Sequence, residues 1–133
     1  MHLTTTDIRR IMYRTLQVFG MEVCYGEDLP EGELTEERAA IATSSGEPGK
    51  IWEDCMVTIS LCVPDLASGV AALTRLDELE KAALQLFADG ITGEWNGNHY
   101  LISLQKHGVE ADKQIRCHYV SIKLLFETLN VKN

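Results

Sequence analysis

The side chains with the chemistry for acid–base or nucleophilic work, His99, His107, His118 and Cys117, all lie in the last third of the chain. Catalysis needs such groups held within reach of one another. Cys117 and His118 are consecutive, so on a strand they point to opposite faces and cannot pair as thiolate and base. His99 and His107 share strand parity but stand ~26 Å apart on a straight strand, too far to share a metal ion. The remaining arrangement sets His107 against His118 across a hairpin, with Glu110 or Asp112 in the turn; the plainer reading is surface strand histidines. Cys24, Cys55, Cys62 and Cys117 contain no C-x-x-C pair and have no histidine at zinc spacing, which points to free thiols packed as small apolar groups. The chain carries no Walker-type loop, G-x-G-x-x-G, H-E-x-x-H or G-x-S-x-G. The expectation is a protein with no catalytic residues, no metal and no cofactor.

The elements that position these residues alternate between two periods. Thr4 to Asp7 form a helix start, and Ile8, Ile11, Met12, Thr15, Leu16 and Phe19 recur at helical spacing up to Gly20. Met21 to Tyr25 reads as a short strand and Arg38 to Ser44 as a weaker one. Ser44 to Lys50 is dense in turn formers. From Ile51 to Val63 the alternation of Cys55, Val57, Ile59, Leu61 and Val63 with more polar neighbours marks the most secure strand. Pro64 and Asp65 are expected to cap a second helix with a core stripe of Val70, Leu73, Leu76, Leu79, Ala83, Leu86 and Phe87, closed by Gly90. Its Leu73, Leu76, Ala83 and Phe87 are expected to face Val57, Ile59 and Leu61. Gly93 to Gly97 reads as a turn carrying an aromatic residue. The period of two returns from His99 and again over Ile115 to Phe126. Residues 1–133 are thus expected to form one α+β domain, two helices packed on one face of a mostly antiparallel four- to five-stranded sheet.

Charge narrows the classes of partner. The formal charge is −8, with 12 basic and 20 acidic residues, the wrong sign for a grip on phosphate that relies on Lys and Arg. No sequence-specific nucleic-acid binding is expected. Arg9, Arg10 and Arg14 read as a solvated helix face. No apolar run approaches the ~20 residues that span a bilayer, and the first residues lack the pattern of a secretory signal, so a cytoplasmic protein without membrane contact is expected. Glu27, Asp28, Glu31, Glu33, Glu36 and Glu37 crowd one segment that contains no basic residue, which reads as an exposed, mobile loop and a surface for interaction. Trp52 and Trp95 are candidate interface anchors, since aromatic side chains are enriched where chains meet.

The stretch from Glu37-Arg38-Ala39-Ala40-Ile41-Ala42 through the turn to Lys50 and on to Trp52–Leu66 resembles the middle of the tail-completion, or tail-terminator, proteins found in the neck of long-tailed phages and prophages. His118 to Glu127 resembles their final strand, and with the two helices the similarity covers most of the chain. The Ala39–Ala40 pair departs from the pattern, where a bulkier β-branched strand is usual. The resemblance implies a structural subunit with no catalytic residue, one that forms a ring, often a hexamer, at the end of the tail tube and meets other tail or neck proteins. It also implies assembly in the cytoplasm and a final place in the virion. The acidic segment is then expected to become ordered or to line a channel for DNA, where converging copies repel and salt strengthens assembly. The alternative is a stand-alone dimeric binding or regulatory α+β domain.

Overall fold

The computed structural model describes residues 3–26, 29, 32–44, 54–67 and 69–129. Helix α1 (Thr5–Thr15) opens on a capping box: Thr4 Oγ1 accepts from the Asp7 amide at 3.1 Å while Asp7 Oδ2 accepts from the Thr4 amide at 3.0 Å. Both bonds satisfy donors that a helix start leaves without partners. The capping bonds from Thr4 hold the Asp7 carboxyl below its ordinary range. A single 3₁₀ turn (Leu16–Phe19) follows and buries Leu16 and Phe19. It stops at Gly20, whose φ of 69° is the left-handed conformation that glycine adopts without a steric cost.

The strands are β1 (Glu22–Tyr25), β2 (Arg38–Thr43), β3 (Asp54–Pro64), β4 (Ile91–Trp95), β5 (Asn98–Asp112) and β6 (Cys117–Leu129), with α2 (Leu73–Phe87) between β3 and β4. They form one six-stranded sheet in the order β1-β2-β3-β6-β5-β4, antiparallel except for the β1–β2 pair. The α+β class stands, and the expected count of four to five strands does not. The additional strand is β4, in the stretch read as a turn around Trp95. Asn96 and Gly97 both take positive φ, 50° and 82°, and make the two-residue hairpin turn that Asn-Gly favours, so Ile91 to Trp95 pairs with Asn98 to Ile102.

One core lies between the helices and one face of the sheet. It joins Ile8, Ile11 and Met12 of α1 and Leu76, Leu79, Ala83 and Phe87 of α2 to the inward residues of β2, β3, β5 and β6. Burying a side chain the size of Phe87 contributes roughly 1.5–3 kcal/mol. α1 sits over β2, where Ala39 is buried and its small side chain lets the helix approach; the pair that departs from the phage-protein pattern therefore forms a strand without difficulty. α2 lies mainly over β5 and β6 and also meets β3; its Leu76, Ala83 and Phe87 share one core with Val57, Ile59 and Leu61, whereas Leu73 does not face them. The expected start of α2 is corrected too. Its N-cap is Ala72, with no side-chain cap, and Leu73 and Val70 are 71% and 54% exposed.

The sheet curls round the helices as a half-barrel. Both terminal strands reach α1: Arg9 stacks over Tyr25 of β1 at 4.6 Å and Arg14 over Trp95 of β4 at 5.4 Å. These two arginines are therefore not the plain solvated face that the sequence suggested. On the outer face a smaller apolar cluster joins Leu34, Cys62, Ile115 and Cys117.

Candidate interaction surfaces

The hairpin of β5 and β6 carries the histidines, and its register separates them. A bulge between Leu104 and Lys106 shifts the pairing, so His107 stands opposite Ile122 and His118 opposite Ala111. The bulge also reverses side-chain parity, placing His107 and His99 on opposite faces of β5. His107 and His118 do not meet. His107 Nδ1 lies 2.7 Å from Glu80 Oε2 on α2, and His118 Nδ1 lies 2.6 Å from Asp65 Oδ1, just past β3. Asp65 thus pairs with a strand histidine instead of capping α2. Among the described residues no group of three or more His, Cys, Asp and Glu side chains is placed to hold a metal.

The Asp65–His118 pair borders an open cleft of about 590 Å³ that also takes in Glu33, Leu66, Lys113 and Arg116. Cys117 touches the cleft but packs on the outer face beside Cys62, opposite in direction to His118, as consecutive strand residues must be. The contact with Cys117 first and burial second push the Cys62 thiol up, and the same contact draws Cys117 down against the effect of its own burial. None of the four cysteines forms a disulfide, and of the four Cys24 alone is partly exposed. This arrangement packs an outer-face cluster; it does not set a thiolate beside a base.

Of the acidic segment, Glu27, Asp28 and Glu31 lie outside the described residues. Glu33 is exposed at the rim of the cleft. Leu34 is 3% exposed, packs on the outer face, and donates its amide to the Ile115 carbonyl at 2.7 Å. Glu37 receives both arms of Arg75 at 2.8 and 2.9 Å, and Glu36 lies 3.9 Å from Arg38. Within residues 33–37 two of the carboxylates meet cations, Glu36 that of Arg38 two residues on and Glu37 that of Arg75 on α2. Trp52 lies outside the described residues. Trp95 is half-buried at the end of β4, its ring beneath Arg14 and its indole N–H buried without an acceptor in hydrogen-bond geometry, though near enough to Asp7 to help lower that carboxyl.

Two surfaces escaped the sequence reading. Leu66 is 70% exposed and stands with Val70 and Leu73 around the turn that enters α2, an apolar patch edged by Arg75 and Glu78. Helical periodicity assigned Val70 and Leu73 to the core; Gly69, at a φ of 78°, was the signal that the helix had not yet begun. The second surface is the outer edge of β5. β4 pairs only as far as Ile102, so from Ser103 to Asp112 that edge faces no strand among the described residues. Val109, on the helix side of this stretch, is 42% exposed. Among the described residues no helix is long and apolar enough to cross a membrane.

Comparisons with protein-family models, with curated proteins and with solved structures give no match.

Proposed function

We propose that this chain is a structural subunit of a phage or prophage particle, of the tail-completion or tail-terminator kind, that closes into a ring at the head–tail junction. The observation that carries the reading is the uncovered patch of Leu66, Val70 and Leu73 together with the unpaired edge of β5. A folded chain gains little by leaving three large aliphatic side chains more than half in water, and such patches mark surfaces that another chain covers. An open strand edge offers a row of backbone donors and acceptors to a neighbour. The two features differ in kind, so the patch of one copy can meet the edge of the next, while either feature meeting itself about a two-fold axis would give the competing dimer. A head-to-tail contact between unlike surfaces closes into a ring when the rotation allows it.

In this reading the partners are further copies of the chain and the adjoining tail or neck proteins, and no bond is made or broken. The protein assembles in the cytoplasm and ends in the virion. The test is the solution mass of the purified chain beside the Leu66→Ser/Leu73→Ser variant, by sedimentation over a range of concentrations. Wild type is expected to rise to a closed oligomer larger than a dimer, and the variant to remain smaller while its melting temperature holds. A monomer or dimer at every concentration, with no effect of the substitutions, removes the reading in favour of a stand-alone domain.

A further inference from the structure

A groove opens where α1 meets the two ends of the curled sheet, between the contacts that Tyr25 and Trp95 make with that helix. About 350 Å³ in volume, it is lined by Arg10, Tyr13, Arg14, Tyr25 and Trp95. Its lining is mostly apolar, aromatic rings and arginine stems, and Arg10 and Arg14 bring positive charge beside it on a protein whose formal charge is −8. Arg10, Tyr13 and Arg14 are exposed, and Arg14 is held over the Trp95 ring at 5.4 Å. The indole N–H of Trp95 is buried beside Asp7, so the groove's donors are those of the two arginines. The nearby carboxylates are Asp7, engaged in the α1 cap, and Glu94, exposed on β4. Donors, positive charge and aromatic surface together suit a carboxylate-bearing peptide.

We infer that this groove docks the acidic segment Glu27–Glu37 of a second copy. The inference rests on the ring reading and names one contact within it. Charge identifies the occupant: that segment holds six acidic side chains and no basic one, the densest negative stretch in the chain. Within one copy, the described end of that segment is engaged elsewhere: Leu34 packs on the outer face and Glu37 pairs with Arg75 on α2. The groove lies on the helix side. Glu33, exposed next to Leu34, shows that the segment can present a carboxylate outward while held to its own subunit. An acidic segment of one copy and a cationic groove of the next are unlike surfaces, as a head-to-tail ring needs. The contact also sets the sign of the salt effect: added salt weakens assembly, opposite to what converging acidic segments would give.

A charge swap between full-length copies tests the inference. One variant carries Arg10→Glu and Arg14→Glu, the other Glu31→Lys and Glu33→Lys, with circular dichroism and melting used to confirm that each folds. Each alone is expected to lose association by about tenfold or more, and an equimolar mixture to recover it in mixed oligomers. Wild-type-like assembly of either variant alone, or no recovery on mixing, overturns the docking. If wild type itself does not assemble, the ring reading fails, and the groove is then tested on a Trp52→Phe background by titrating a synthetic peptide of residues 26–38 and following Trp95 fluorescence. Saturable quenching that is lost in the Arg10→Glu/Arg14→Glu variant upholds the groove as an acidic-peptide site. No quenching, or quenching by a DNA oligonucleotide in place of the peptide, overturns it.

Discussion

Leu73 and Leu76 stand one turn apart on α2, and replacing each with alanine separates the core from the surface proposed for assembly. Leu76 is 1% exposed, in the cluster with Leu79 and Phe87, whereas Leu73 is 71% exposed. Leu76→Ala removes apolar volume from a close-packed site and should cost roughly 2–5 kcal/mol. Leu73→Ala removes a side chain that already faces water and should cost less than ~0.5 kcal/mol in the isolated subunit. Urea unfolding at low protein concentration, followed by circular dichroism, reads the subunit alone. The midpoint should fall sharply for Leu76→Ala and stay nearly fixed for Leu73→Ala, with the slope unchanged in both. At higher concentration the order of effects should change, because Leu73→Ala then loses the stabilisation that association adds to the folded state. Equal losses for the two variants at low concentration would show that Leu73 is core and that the start of α2 is misplaced, and the case for an uncovered patch would go with it.

The remaining expectations concern the fold around these surfaces. Thr4→Ala should cost about 1 kcal/mol by removing the α1 cap. Because the folded Asp7 carboxyl sits below its ordinary range, its contribution is present above about pH 4 and is lost as the pH falls through the lowered value; Asp7→Asn should flatten that acid limb of a pH–stability curve. Gly93→Ala places a methyl group on the Tyr100 ring, which is stacked on Phe126, and should cost roughly 1–3 kcal/mol in thermal melts unless the ring moves without penalty. Brief alkylation of the native protein should label Cys24 first and leave Cys55, Cys62 and Cys117 until unfolding, as mass mapping would reveal; early labelling of Cys62 would contradict its place under the outer-face cluster.

Local pattern made most of the fold legible. The alternation over Cys55 to Val63 and the spacing from Ile8 to Phe19 record which side chains face the core, and the structure buries those positions, Thr15 in part. β4 is less legible: Asn96-Gly97 is a strong hairpin signal, but Gly93 within the strand reads locally as a turn former. Val70 and Leu73 were misread because periodicity registers apolar spacing and not whether anything lies opposite. Nothing local indicates the pairing of Glu37 with Arg75 or of Asp65 with His118, since each joins residues far apart in sequence. The groove at α1 was hidden for the same reason: Tyr25 and Trp95 reach one helix only because the sheet curls. A bulge at one residue was enough to change which faces the histidines occupy.

The ring itself is the claim on which the account turns, and the native mass of the purified wild-type chain measures it most directly. At micromolar concentration and moderate salt, native mass spectrometry with electron microscopy of the same sample should show a closed oligomer of more than two copies, seen as a ring with a central opening. A single species at the mass of one or two chains, unchanged as concentration rises, would contradict it.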